Sequence, residues 1–412
     1  MNIWIFNHYA STLALGGAET RHIEFGHAFV KKGHKVRIFV GSYSHLTGDR
    51  MRQFCSPFAV ADETGSLHFH SFETRRYESN GLDRFLASID YYRAGMKTIG
   101  EQRIEKPDVI IASSPHPYAW KIGWKIAEEL DTKLIVEVRD VWPRDLISAG
   151  KLSRRNPVSS LFRSIEKKAY LKSRKIVSLL PNIEEHVNSV TKQNLKDRIV
   201  FIPNGINISR FVNPKITKEV TEIVERFSSK KIIAYLGSHG PTNDLETVLK
   251  GIKEFNDKRP ESDCNFAFIG QGSEKKRLIE LSESLALDKV LFFEQIPKES
   301  VPGLLSVVDA LIFPLVKFDI DTPAVSSYKL LDYMASGKPV ISADLLGLPL
   351  KETSEAEFYE PGNPDSFSSA LERLVNKLDK GETLCRKNMS YVREKRDIVK
   401  LAEQYERVLI DD

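Results

Sequence analysis

The chain has 412 residues, too many for one ordinary hydrophobic core, so two domains or three are expected. With 41% hydrophobic and 28% charged residues it has the composition of a soluble globular protein, and no apolar run reaches membrane-spanning length. A net charge of +4 is too mild to imply nucleic acid, and three scattered cysteines, Cys55, Cys264 and Cys385, exclude a disulfide framework or a cysteine metal site and fit a reducing cytoplasm.

In chain order, Met1-Asn-Ile-Trp-Ile-Phe6 has no basic leader and no small-residue cleavage site, so it reads as a first strand rather than a signal peptide. Residues 18–32 have helical spacing and stop at Gly33, and 35–40 form a second strand. This βαβ opening predicts a parallel sheet covered by helices. Residues 45–105 are less regular, with edge strands and one helix near 82–99. Residues 108–112 are a continuous apolar strand of the buried parallel kind. A helix over 117–130, a strand over 134–138, a helix over 157–171 and strands over 176–180 and 199–202 follow. Pro203-Asn-Gly is a turn, after which the alternation restarts. Strands are predicted over 232–236, 266–269, 290–293, 310–313 and 340–342, and helices over 245–255, 274–285 and 367–378. The charged tail over 389–409 reads as one helix. The whole is α/β: two Rossmann-like domains, 1–205 and 206–388, with the terminal helix of about 389–412 packing back on the first.

The most informative segment is Ser326-Ser-Tyr-Lys-Leu-Leu-Asp-Tyr-Met-Ala-Ser-Gly-Lys-Pro-Val-Ile341. Two serines, Ser326 and Ser327, open an amphipathic helix, so free N–H groups and the positive end of its dipole suit a phosphate. One turn further in, Asp332 can accept hydrogen bonds from a vicinal diol such as that of a ribose. The same segment also reads as a buried helix with a proline-marked exit. Glycine-bearing strand ends, Tyr235-Leu-Gly-Ser-His-Gly240 and Phe268-Ile-Gly-Gln-Gly-Ser273, permit close approach of a nucleotide.

Three further constellations lie in the first half. Leu15-Gly-Gly-Ala18 joins the first strand to the first helix but lacks the third glycine of a dinucleotide fingerprint. In Ser113-Ser-Pro-His-Pro-Tyr118, His116 sits between two prolines at a strand's carboxyl edge, where it is either a solvent-exposed helix entry or, neutral or charged near pH 7, a donor to a sugar hydroxyl. Glu137-Val-Arg-Asp-Val-Trp-Pro-Arg-Asp145 gathers a carboxylate, an indole and two arginines on one loop, suited to carbohydrate or, in the plainer reading, to an Asp140–Arg139 pair. Finally, 151–175 holds nine basic residues and one acid, Glu166, with Leu152, Leu161, Phe162, Ile165, Ala169 and Tyr170 at roughly helical spacing. It is either a helix for an anionic membrane surface or a helix packing its apolar stripe on its own domain.

The helix-and-exit run over 326–341 resembles the nucleotide-sugar signature of retaining GT-B glycosyltransferases of family 4, and the Glu137–Pro143 run resembles a subgroup that builds bacterial surface polysaccharides, including amino-deoxy-sugar transferases. The resemblance implies a metal-independent retaining transferase with no cofactor beyond its nucleotide-sugar co-substrate. The donor would be UDP-linked, with an N-acetylated amino sugar as one candidate, and the acceptor lipid-linked or a saccharide. Reaction would occur between two domains that face a central cleft. It implies a cytoplasmic protein, peripheral on the inner face of the plasma membrane if 151–175 binds lipid. Donor contacts carried over are Gly16, Gly17, Ser238, His239, Gly270, Gly272, Ile296, Ser326, Ser327, Tyr328, Lys329 and Asp332. His116, Asp140 and Lys329 take the catalytic positions, and Arg139, Trp142 and Arg144 the acceptor side.

Two departures stand out. The arginine and lysine that many members place after the first of the glycine-bearing strands are absent, the corresponding stretch reading Pro241-Thr-Asn-Asp244. A glutamate usual eight residues before the second acid is Ala324, the acid itself being Asp332. Charge compensation would come from Lys329, His239, the helix dipole or Lys317. Asp319-Ile-Asp321 reads as a loop rather than a divalent-cation site. The rivals are a sugar-nucleotide epimerase or phosphorylase of the same double fold and a non-catalytic nucleotide-sugar-binding protein.

Overall fold

A computed structural model describes residues 1–10, 21–43, 58–59, 65–77, 82–101, 104–148, 150, 152–227, 231–317 and 327–411. The chain divides into two compact units, Met1–Asn204 with Ile398–Asp412, and Gly205–Asp397. Each is an α/β layer structure built on a mostly parallel sheet.

In the first unit the elements run β1 Asn2–Phe6, α1 Arg21–Lys31, β2 Lys35–Gly41, β3 Phe58–Ala59, β4 Leu67–Phe72, α2 Leu82–Glu101, β5 Val109–Ser113, α3 Pro117–Glu129, β6 Lys133–Val138, α4 Arg144–Ser148, α5 Pro157–Lys172, β7 Lys175–Ser178, α6 Glu184–Thr191 and β8 Ile199–Phe201. The sheet order is β3-β4-β2-β1-β5-β6-β7-β8, parallel except for the β3–β4 pair. Strands β1 and β5 are buried along their whole length, which is why they read as unbroken apolar runs. Their side chains alternate between two cores. Ile3 and Ile5 join Phe25 and Phe29 of α1, whereas Trp4 and Phe6 join Tyr91 of α2, Trp120 of α3 and Phe162 of α5.

The second unit comprises α7 Lys218–Val224, β9 Ile232–Leu236, α8 Leu245–Lys258, β10 Asn265–Ile269, α9 Lys275–Ser284, β11 Val290–Phe293, α10 Val301–Val307, β12 Ala310–Phe313, α11 Tyr328–Ser336, β13 Val340–Ala343, α12 Pro349–Thr353, β14 Glu357–Tyr359, α13 Pro364–Asp379 and α14 Arg386–Lys395. Its sheet, β11-β10-β9-β12-β13-β14, is wholly parallel and has the doubly wound order that places a topological switch point between β9 and β12. In the first unit the corresponding reversal lies between β1 and β5. Ligands of open α/β sheets bind at the carboxyl ends of such strands.

The tail differs from the single helix that its pattern suggests. It is two helices, α14 and α15 Ile398–Ile410, interrupted at Arg396–Asp397, where the backbone bonds Ile206 instead: the Ile206 N–H donates to the Arg396 carbonyl, and Ile206 bridges Asp397. Helix α14 belongs to the second unit, and only α15 belongs to the first. There α15 buries Leu401, Tyr405, Val408 and Leu409 against α1, a contribution of about 1.5–3 kcal/mol for each large side chain.

Candidate functional site

In the second unit, three chain segments converge at the carboxyl ends of β9 and β10. Gly237 follows β9 and Gly270 follows β10, and their backbones touch: a Cβ on Gly270 would lie 1.9 Å from the Gly237 carbonyl oxygen. Both glycines have φ near +150°, which other residues rarely adopt. Gly272 is equally tight, since a Cβ there would meet the His239 carbonyl at 2.4 Å. His239 itself is fully buried, stacked on Tyr235 and edge-on to Phe292, with no hydrogen-bond partner for either ring nitrogen among the described residues. Burial and, next, the nearby lysines Lys275 and Lys329 push its imidazole down to about 4, so it is neutral at pH 7.

Helix α11 enters the same place. It ends at Gly337, in the left-handed conformation that closes a helix. At its start the Ser327 side chain makes no capping bond, so its first-turn N–H groups do not take that oxygen as partner. From that first turn Lys329 donates to Asn243 Oδ1 at 3.0 Å and to the Tyr235 hydroxyl at 3.4 Å, its ammonium lying over the Tyr235 and Phe313 rings. No carboxylate pairs with it among the described residues. Burial alone lowers its pKa to about 7. Asn243 in turn donates to the Ser238 carbonyl, as does the Tyr235 hydroxyl. The arrangement is a cation without a carboxylate partner among the described residues, at the start of a helix beside glycine-thinned strand ends, a setting for a multiply charged anion.

In the first unit, the carboxyl ends of β1 and β5 bring His8 and His116 together, with His8 Nδ1 2.8 Å from His116 Nε2 and both rings buried. Beyond β6, the Ser114 hydroxyl accepts the backbone N–H of Arg139 at 2.8 Å and of Asp140 at 3.2 Å, which shapes that loop. Asp145 accepts the Val141 N–H at 2.7 Å and pairs with Arg144 at the start of α4.

Two family models match the sequence: one described as Glycosyltransferase Family 4 over residues 15–210, and one described as Glycosyl transferases group 1 over 217–390, so that together they span nearly the whole chain. The chain belongs to glycosyltransferase family 4. Among similar proteins, a putative colanic acid biosynthesis glycosyl transferase of Escherichia coli (strain K12) is 28% identical over 159 residues, 38% of each chain. The chain spans 38–60% of the length of the curated relatives it matches. Among solved structures, WaaG, a glycosyltransferase involved in lipopolysaccharide biosynthesis, superimposes with a TM-score of 0.69 at 14% identity over all of both chains. The Anabaena protein HepE in complex with UDP and glucose gives 0.66 at 13% identity, over 100% of this chain and 99% of that one. These matches establish the fold as GT-B, two Rossmann-like domains.

On this family-4 framework the structure groups Ser238, His239, Gly270, Gly272, Ser327 and Lys329 within one carboxyl-edge cluster, while Asp332 is buried one turn along α11. Tyr328 lies under the Lys298 ammonium, and Ile296 lines a groove with Phe293, Glu294 and Arg226 on the far side of β11. Gly16, Gly17, Ser326, Ala324 and the Asp319–Asp321 run lie outside the described residues.

Two expectations need correction, for His116 and for Asp140. His116 is neither an exposed helix entry nor a group charged near neutrality: it is buried, and burial, followed by the Arg84 charge, lowers its pKa to about 3. The Trp142 ring, assigned to the acceptor side, is half-buried, stacked on Phe162 at 6.3 Å with the Arg84 guanidinium 5.5 Å from its centre. Asp140 is exposed, so it is not the buried half of an ion pair with Arg139. The basic segment also resolves. Phe162, Ile165, Ala169 and Tyr170 of α5 face the core, and Glu166 bonds His186 and Tyr170, which leaves a polar basic face outward.

Sequence reasoning missed Tyr235 and Asn243, the Lys329 partners. The signal for Asn243 was its place within the stretch that lacks the usual cations. It also missed a buried cluster around Glu137. Arg21 donates to Glu137 from Nε at 3.0 Å, His22 lies 2.8 Å away, and Ser113 and Tyr405 donate as well. Arg21 also donates to the carbonyls of Ile202 and Pro203, so one guanidinium ties α1, β6 and the end of the first unit together.

Proposed function

We propose that this chain transfers a sugar from a nucleoside-diphosphate sugar, UDP-linked, to a saccharide or lipid-linked acceptor in bacterial surface polysaccharide synthesis, with retention of anomeric configuration and without a metal. The observation that carries this reading is Lys329: a half-buried cation with no acidic partner among the described residues, held at a helix start beside the Gly237 and Gly270 strand ends. Burying a charge without a counter-charge is costly, and a bound diphosphate would supply one. The HepE complex with UDP and the polysaccharide names among the relatives support the donor and the pathway class. The Glu137–Pro143 run supports an N-acetylated amino sugar as the group transferred.

Mechanistically, Lys329 and the first-turn N–H groups of α11 would stabilise negative charge on the departing diphosphate. The acceptor hydroxyl would attack from the face the leaving group vacates, and its proton would pass to a departing phosphate oxygen, so that no dedicated protein base is required. His116 and Asp140 would orient the sugar. The test is nucleotide release from a panel of UDP- and GDP-sugars with and without saccharide acceptors. Acceptor-dependent release is expected; inversion at C2 would indicate an epimerase, and binding without turnover a non-catalytic module.

If Asp332 accepts hydrogen bonds from the ribose, Asp332→Ala should raise donor KM about tenfold to a hundredfold, the worth of a charged hydrogen bond, with kcat less affected. An unchanged KM would remove the residue from the donor site.

Membrane attachment through α5 would be mainly electrostatic, since Phe162, Ile165, Ala169 and Tyr170 of the apolar stripe are internal and only Leu161 is exposed. Arg154, Arg155, Lys167 and Lys168 are exposed. Changing all four to glutamine should abolish cosedimentation with phosphatidylserine vesicles at low salt, each basic group near such a surface being worth about 1 kcal/mol. Equal sedimentation of the variant would eliminate this face.

A further inference from the structure

A buried hydrogen-bond chain runs from Glu137, near the end of β6, to the turn that follows β1, and the donor at every link is fixed. Asn7, His22 and Glu137 are all buried. The backbone N–H of Tyr9 can only donate, and it donates to Asn7 Oδ1 at 2.9 Å. The amide group facing His22 Nδ1, at 2.7 Å, is therefore the NH2, which also only donates, so Nδ1 accepts. The one proton of the neutral imidazole is then on Nε2, which lies 2.8 Å from Glu137 Oε1. An ionised carboxylate requires a donor there, as it does at its contacts with Ser113, Arg21 and Tyr405. This polarity is that of pH 7. In acid, where Glu137 itself titrates, the imidazole adds its charge to that of Arg21.

The far end of the chain lies at the seat of His116. Asn7 opens a turn that the Ala10 N–H closes on the Asn7 carbonyl at 3.3 Å, and the turn carries His8 and Tyr9. Both rings stand edge-on to His116, His8 at 4.9 Å and 84° and Tyr9 at 5.5 Å and 88°, with His8 Nδ1 2.8 Å from His116 Nε2. We propose that His22 and Asn7 are positioning residues for His116: Glu137 orients the His22 ring, His22 Nδ1 orients the Asn7 amide, and the amide oxygen holds the turn that sets His8 and Tyr9 against His116. The inference rests on the reading that His116 meets the sugar. It holds whichever of His8 and His116 donates to the other, because its links all lie between Glu137 and the turn.

The test is ¹⁵N NMR of histidine-labelled protein at pH 7, with the His22 signals assigned by their loss in His22→Gln, combined with kinetics of two Asn7 variants. The wild type should show His22 protonated at Nε2 and unprotonated at Nδ1. Asn7→Ser can still accept the Tyr9 N–H but is too short to reach the His22 ring. It should lower kcat about tenfold to a hundredfold, the scale on which a small misplacement of an orienting group acts, with donor KM little changed. Asn7→Asp keeps one oxygen for Tyr9 and turns the other toward His22 Nδ1, which draws a second proton onto the ring. It should restore most of kcat and show both His22 nitrogens protonated at pH 7. A wild-type ring protonated at Nδ1, an Asn7→Ser enzyme with unaltered kcat, or an Asn7→Asp enzyme no better than Asn7→Ser would overturn the proposal. Absence of turnover with every nucleotide sugar would instead refute the transferase reading, and the wild-type spectrum would still decide the polarity of the chain.

Discussion

Lys329→Ala is expected to lower kcat about 10²–10³-fold, the usual loss when one preorganised group facing a developing negative charge is removed. Donor KM should change less, because the demand on the ammonium is greatest when the phosphate departs. The same variant should fold at least as well as the wild type. It removes a cation held among Tyr235, Phe313 and Asn243 with no carboxylate beside it, so the folded state loses a burial penalty rather than a stabilising pair. A drop in activity without a drop in Tm thus separates a functional role from a structural one. The pH dependence follows from the same burial. With the free-protein pKa near 7, a bound diphosphate would favour the protonated form and raise it. Donor affinity should therefore be full below pH 7 and weaken about tenfold per unit above it, until the pKa of the complex is passed. Donor KM measured from pH 6 to 9 reads this directly, and a flat profile would place the phosphates away from Lys329.

Arg21→Ala is expected to destabilise the first unit by about 3–5 kcal/mol, the cost of stranding one member of a buried ion pair. The carboxylate left behind, Glu137, is fully buried, and the carbonyls of Ile202 and Pro203 lose their donor. Denaturant unfolding would measure the change. Burial opposes ionisation of Glu137, yet the charges of Arg21 and His22 outweigh it and hold the carboxyl well below the usual range. A depressed carboxyl contributes stability that is present above the ordinary carboxylate pKa and lost as pH falls through the folded-state value. Wild-type stability should accordingly decline on the acid side, and Glu137→Gln should flatten that decline. An Arg21→Ala protein as stable as the wild type would show that the guanidinium is not what holds α1, β6 and the Ile202–Pro203 segment together.

The alternation of strand and helix was legible because parallel strands covered on both faces must be largely apolar, as residues 109–112 and Ile232–Leu236 are. The break at Arg396–Asp397 was not, since helical spacing continues across it and only pairing with Ile206 interrupts it. In the site, Lys329 was legible because its motif is local. Tyr235 and Asn243 were not, because they lie 94 and 86 residues away and meet it only through the order of β9 and β12 in the sheet. Arg21 carries no local signal, and it meets Glu137 only because folding places them side by side. His116 read as exposed because two flanking prolines suggest an open turn, whereas Tyr9, Tyr91 and His8 enclose it.

The central claim is that the start of α11 and the Gly237 and Gly270 strand ends hold the diphosphate of an activated sugar. A crystal structure of the protein grown with UDP tests it most directly. The account predicts phosphate oxygens within hydrogen-bonding distance of Lys329 Nζ and of the first-turn amides of α11. UDP bound elsewhere, with Lys329 still directed only at Asn243 and Tyr235, would contradict it.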